Sequence, residues 1–169
     1  IFLQAVVNTL GRIGPVAVAA LVETLQADDE PEIARGYAAL ALAQIADRDE
    51  DVVTALSEAL EYDVAAVRMS TAEALGHAGP SARAAVPGLI GRVTDAREEG
   101  LVREFAISAL AKIDPGSAQV EEALEDVVSD GNPRIYEAAV EALMKIRAWR
   151  DGAPDVNAEV ARLIGELDK

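Results

Sequence analysis

Val102-Arg103-Glu104-Phe105-Ala106-Ile107-Ser108-Ala109-Leu110-Ala111-Lys112-Ile113 is one of four segments that align without gaps. The others are Ile33-Ala34-Arg35-Gly36-Tyr37-Ala38-Ala39-Leu40-Ala41-Leu42-Ala43-Gln44-Ile45, Val67-Arg68-Met69-Ser70-Thr71-Ala72-Glu73-Ala74-Leu75-Gly76-His77-Ala78, and Ile135-Tyr136-Glu137-Ala138-Ala139-Val140-Glu141-Ala142-Leu143-Met144-Lys145-Ile146. Leu42, Leu75, Leu110 and Leu143 are equivalent, at spacings of 33, 35 and 33, and Leu10 extends the series 32 residues upstream. A period in this range marks a stacked array of small units. With the Arg column as position zero, small residues recur at +3 and +6, Leu at +7, and Ile or Ala at +10. These offsets trace one face of an α-helix. Alanine at two of them lets neighbouring helices approach closely, so this half of each unit is the inner helix of a pair.

The first half of each unit carries Leu21/Leu25, Leu56/Leu60, Leu89/Val93 and Leu124/Val128, pairs at i, i+4 that predict an outer helix. Pro15, Pro80 and Pro115 suit its first turn, and in the second unit Asp49 or Asp51 suits a cap. Acidic turns lead into the inner helix: Asp28-Asp29-Glu30-Pro31, Asp63, Asp95 and Asp130-Gly131-Asn132-Pro133. A helix pair of this kind cannot bury its apolar face alone, and stacking buries it. The expected fold is therefore all-α, a right-handed α-solenoid without strands or an internal domain boundary. Its units are 15–46, 47–79, 80–114 and 115–148, with a partial repeat at 1–14 and a C-terminal capping helix within 149–169.

The acidic turn, the Val/Ile-Arg pair (Val67-Arg68, Val102-Arg103) and the Ala-x-x-Ala-Leu-x-x-Ile run resemble the HEAT-repeat family, most closely its short HEAT-like form also seen in phycobilin lyases. The resemblance covers essentially the whole chain and is specific for fold rather than activity. It implies that turn acids bond inner-helix arginines between adjacent repeats, and Asp63 with Arg68, Glu30 with Arg35 and Glu98 with Arg103 fit the spacing. In the fourth unit Tyr136 holds the Arg column and Arg134 stands two places earlier, which interrupts such a ladder. The resemblance also implies that the inner helices line a concave surface.

Ile1-Phe2-Leu3-Gln4-Ala5-Val6-Val7 reads as an inner helix already under way, so the chain reads as a piece of a longer polypeptide. At the other end, residues 155–167 form an amphipathic pattern through Val156, Val160, Leu163, Ile164 and Leu167, capped by Asp151 or Asp155. Trp149, just past the last inner helix, is expected to pack beneath it.

Thirty acids against fifteen bases give a net charge of −15, and the lysines are Lys112, Lys145 and Lys169 alone. Phosphate contacts need clustered Lys and Arg, so the balance argues against nucleic acid. No run reaches transmembrane length, and no membrane partner is expected. The charge pattern also resembles that of salt-adapted proteins, whose self-repulsion is screened at high ionic strength; an ordinary acidic protein is the other reading. The absence of Cys excludes disulfides and thiolate chemistry and fits a cytoplasmic setting.

Chemistry-bearing groups do not converge. His77, the only histidine, sits at +9 near a helix C-terminus, where an imidazolium is favoured. One His without Cys does not suit zinc. The acid runs at 28–30 and 47–51 lack calcium-loop spacing, and no Ser has a visible His–Asp partner. No catalytic residue, metal or cofactor is assigned, and the chain reads as non-enzymatic.

What remains is a binding surface. Positions −1, +3, +6, +7 and +10 are buried on the wheel, which leaves +1, +5 and +9 on the opposite arc with +2 at its edge. The predicted stripe begins with Gln4, Asn8 and Arg12. It runs through Gly36, Tyr37, Leu40 and Gln44, then Met69, Glu73 and His77, then Glu104, Phe105, Ser108 and Lys112, and ends at Glu137, Glu141 and Lys145. Tyr37, Leu40 and Met69 are the expected anchors, since exposed aromatic and aliphatic groups dominate protein contacts. Tyr37 and Phe105 share +2, which equally suits packing against the adjoining repeat. The leading reading is a protein–protein interaction scaffold, monomeric as this segment, that takes a peptide or folded protein on the inner-helix face. The alternatives are a bilin lyase or isomerase-like subunit, implied by the resemblance, and an accessory helical domain of a larger enzyme.

Overall fold

The computed structural model describes residues 15–46 and 50–152. They form eight α-helices among the described residues: α1 (Pro15–Gln26), α2 (Glu32–Ala43), α3 (Glu50–Ala59), α4 (Ala65–Ala78), α5 (Val86–Thr94), α6 (Gly100–Ile113), α7 (Ala118–Val128) and α8 (Pro133–Arg150). A 3₁₀ segment, Gly79–Ala85, precedes α5. Even-numbered helices pack in order, α2 on α4 on α6 on α8, and form the inner layer; α1, α3, α5 and α7 pair with them as the outer layer. The expected partial repeat at 1–14, with Gln4, Asn8 and Arg12, and the helix expected at 155–167 lie outside the described residues.

The periodicity is cashed out in burial. Leu42, Leu75 and Leu110 are fully buried and Leu143 nearly so, as are Ala38, Thr71, Ala106 and Ala139 one turn earlier. Position +4 is buried too at Ala39, Ala72 and Ile107; α4 and α6 are each flanked by an inner helix on both sides as well as backed by an outer helix. The outer pairs Leu21/Leu25, Leu56/Leu60 and Leu89/Val93 face this core. In α7 the buried partner of Leu124 is Val127, and the expected Val128 is only partly covered.

Three boundaries differ from expectation. Gly79, at φ +59°, ends α4; such a backbone suits glycine. The chain then runs through the 3₁₀ segment, so the outer helix starts at Val86 with Pro87 in its first turn rather than at Pro80. Pro115 likewise precedes α7, which Ser117 caps by accepting from the Val120 N–H. Asp51 lies inside the first turn of α3, and Asp49 is outside the described residues. At the far end α8 continues through Trp149 to Arg150, with Asp151 as its C-cap. No breaker intervenes before Gly152, and Arg147 and Arg150 reach Glu121 and Glu125 on α7 at 2.7–3.3 Å.

Two members of the arginine column, Arg68 and Arg103, tie repeats together through acids one repeat further on than the in-repeat spacing suggested, whereas Arg35 keeps its acid within its own repeat. Arg68 donates to Glu98 through Nε and Nη2 at 2.9 and 2.6 Å, a two-pronged pairing, and its Nη1 donates to the carbonyls of Tyr62 and Asp63. Arg103 donates to the Asp130 carboxylate at 2.6 Å and to the Val93 carbonyl. Arg35 donates to the Leu25 carbonyl, lies 3.4 Å from Asp28, and stacks 5.1 Å from the centre of the Tyr62 ring. The anticipated pairs Glu30–Arg35 and Glu98–Arg103 therefore give way to Asp28 and Asp130, and Asp63 serves Arg68 through its carbonyl. A side chain leaving the first turn of an inner helix projects across the stack, which brings the next turn's carboxylate within reach. In the fourth unit Tyr136 is exposed and Arg134 turns back to Glu104 at 3.0 Å, so the ladder stops as expected.

Glu98 is the most enclosed of these acids, its side chain 2% exposed. Burial alone would raise its carboxyl, but the bonds from Arg68 and the Glu99 N–H, with the charges of Arg68 and Arg92, overcome this and hold it below the ordinary glutamate value. The hydrogen bonds from Arg103 and from the Asn132 N–H lower Asp130 in the same direction. A depressed carboxyl stabilises the fold fully above the unfolded value, about 4.3 for Glu, and loses that contribution as pH falls through its folded value. Glu98→Gln is expected to cost about 2 kcal/mol at neutral pH, with the gap to wild type closing as the medium is acidified below about pH 4. Urea unfolding across that range measures it, and a gap independent of pH refutes the clamp.

Gly76 is buried where α4 meets α6, and a Cβ there would lie 3.2 Å from the Ala109 Cα. Gly91, inside α5, has open space at the same place. Gly76→Leu should lower stability by about 1–3 kcal/mol through overpacking. Gly91→Ala should raise it by about 0.5–1 kcal/mol through helix propensity. Denaturant midpoints of the two variants test the stacking directly.

Candidate functional site

The exposed face of the inner layer is what the stacking leaves over. Between α2 and α4 it opens into a groove of about 290 Å³ lined by Glu32, Ile33, Gly36, Tyr37, Leu40, Ala66, Met69, Ser70 and Glu73. Its floor is set by Gly36, which is buried: a Cβ there would stand 2.8 Å from the Ser70 hydroxyl. Tyr37 and Leu40 are half-buried, with part of each packed on the core and the remainder facing the groove. Ile33, at 72% exposure, is the most exposed large apolar side chain among the described residues.

Between α6 and α8 lies a second groove of about 240 Å³, lined by Glu104, Ile107, Ser108, Ala111, Lys112, Ala138, Glu141, Ala142 and Lys145. Its charges largely satisfy one another: Arg134 sits 3.0 Å from Glu104, and Lys145 donates to Glu141 at 2.5 Å. Exposed pairs of this kind contribute little to stability, but they occupy the groups that would otherwise meet a ligand.

The residues singled out in the sequence thus fall into three sets. Tyr37, Leu40, Met69 and Glu73 meet in the first groove with Gly36 as its floor, and Glu104, Ser108, Lys112, Glu141 and Lys145 meet in the second. Gln44, His77 and Glu137 are exposed but line neither. Phe105 packs on the core and lines neither groove, which is the packing role open to position +2. Glu32 and Ile33 were missed, although Ile33 completes the i, i+3/i+4 arc through Tyr37 and Leu40 one turn upstream. His77 occupies the last turn of α4, with its Nε2 3.8 Å from Glu73.

The helix that Trp149 was expected to pack beneath lies outside the described residues. Trp149 is part of α8, 56% exposed, with its ring against Gly116, and it shares a cleft with Arg83, Lys112, Asp114 and Lys145 at one edge of the inner layer. Among the described residues no group of three His, Asp or Glu side chains is placed to hold a metal ion, and no helix is long and apolar enough to cross a membrane.

A family model described as HEAT repeats matches residues 18–101. No curated protein sequence matches the chain. Among solved structures, human deoxyhypusine hydroxylase in complex with glycerol is similar at 27% identity and a TM-score of 0.68, over 77% of this chain and 43% of that one. The chain thus spans less than half the length of that enzyme. The complex of CpcE and CpcF of phycocyanin lyase from Nostoc sp. PCC7120 is similar at 24% identity and a TM-score of 0.66, over 83% of this chain and 88% of that one. A computationally designed armadillo repeat protein for modular peptide recognition is similar at 20% identity and a TM-score of 0.53, over 86% and 76%. The latter two likenesses are of fold alone. Residues 18–101 match the HEAT-repeat model, and the described residues form a helical-repeat solenoid.

Proposed function

We propose that the chain is a non-enzymatic scaffold that binds a protein or peptide on the exposed face of its inner helices, with the groove between α2 and α4 as the principal contact. The observation that carries this reading is the apolar lining of that groove, where Ile33, Tyr37, Leu40 and Met69 lie together in an open cleft. Solvent-facing apolar side chains grouped in this way mark contact sites on otherwise polar proteins. A Tyr fixed from below by core packing loses little freedom on binding, which favours it as an anchor. A groove between two stacked helices suits an extended or helical segment lying along it. The second groove is the weaker candidate because its carboxylates already meet Arg134 and Lys145.

The reading is tested by selecting binders from a display library of short random peptides. The enriched peptides should lose affinity by about tenfold or more for Tyr37→Ala/Met69→Ala. They should also lose it for Ala66→Arg, which blocks the groove from an exposed position without touching the core. Circular-dichroism melting curves confirm that each variant is folded. Peptides that bind these variants as tightly as wild type, or a library that yields none, overturn the assignment.

A further inference from the structure

The groove between α2 and α4 has a charge character of its own. Among the described residues its acidic side chains are Glu32 and Glu73, and no Lys or Arg lines it. Neither acid is ion-paired with Lys or Arg among the described residues; the His77 Nε2 lies 3.8 Å from Glu73. The closest arginine in sequence, Arg35, is 4% exposed and committed to the Leu25 carbonyl and the Tyr62 ring, so it cannot swing into the groove. In the second groove, by contrast, Arg134 and Lys145 occupy Glu104 and Glu141. The two grooves repeat the same backbone arrangement, and among the described residues one of them keeps its carboxylates free of Lys and Arg beside an apolar floor.

Burying such a carboxylate against a neutral or acidic partner removes its water with nothing in return. A partner that carries its own cations meets it with charge-assisted hydrogen bonds, and the net charge of −15 attracts the same partner from a distance. Resting on the function proposed above, we infer that the groove selects a cationic protein segment: one or two large apolar side chains on Tyr37, Leu40 and Met69, flanked by lysine or arginine that reaches Glu32 and Glu73.

The same peptide library supplies the test. The pool enriched on wild type should carry net positive charge together with large apolar residues, and its affinity should fall with added salt. Glu32→Gln/Glu73→Gln should weaken those peptides about tenfold. Glu122→Gln/Asp126→Asn, which removes the same charge from exposed sites on α7, should leave them nearly unchanged. Enriched peptides that need Tyr37 and Met69 yet carry no positive bias overturn the inference and leave the proposed contact surface standing. Equal losses from the two charge-removing pairs also overturn it, since attraction would then come from the whole molecule and not from the groove. Peptides indifferent to Tyr37 and Met69, or no enrichment at all, remove the reading on which the inference rests.

Discussion

Gly76 and Ala109 hold α4 and α6 so close that even a methyl group on Gly76 would press on the Ala109 backbone. That contact, against backbone, is one instance of the constraint governing the stack, since each inner helix must sit near enough to its neighbours to bury alanine-sized side chains between them. Alanine at +3 and +6 supplies little area per residue, so the apolar surface removed from water comes mostly from the leucine series behind it. Close approach makes this economy work, because voids between small side chains would forfeit their packing contacts. Stability is then shared along the stack rather than held within any one helix pair.

Stacking alone leaves the angle and register of each repeat loosely set. The arginine column settles both. A guanidinium buried beside a carboxylate has a fixed geometry, and Arg68–Glu98 and Arg103–Asp130 each join the first turn of one inner helix to the turn preceding the next. Arg92 extends the first of these to Glu61 and Glu98 from the outer layer. Apolar packing and these clamps consume one side of every inner helix. The arc at +1, +5 and +9 is released from structural duty, and it is there that the two grooves open.

Most of this architecture was legible in the residues. The leucine series, the alanine positions and the acidic turns specify alternating inner and outer helices, and Leu42, Leu75 and Leu110 lie where the wheel puts them. Tyr37, Leu40, Met69 and Glu73 were likewise readable as neighbours, because a 3.6-residue period repeated at a constant offset aligns the same arc in successive repeats. What could not be read was anything decided between repeats. Whether Glu98 bonds Arg103 or Arg68 depends on how far one repeat is rotated against the next, which no spacing within a repeat records. The 3₁₀ segment before α5 and the extension of α8 through Trp149 are of the same kind, since local sequence permits several boundaries and packing selects one. The pairing of Glu104 with Arg134, which sets the two grooves apart, also crosses a repeat boundary.

The two methionines of the chain stand on opposite sides of the central claim. Met69 lines the groove between α2 and α4, whereas Met144 is half-buried on α8 and lines neither groove. The most direct measurement is a methyl NMR titration of methionine-labelled protein with the tightest peptide from the library selection. The account predicts that the Met69 methyl signal moves to saturation with the binding curve while that of Met144 stays in place. A bound peptide that shifts Met144 and leaves Met69 unmoved would contradict it.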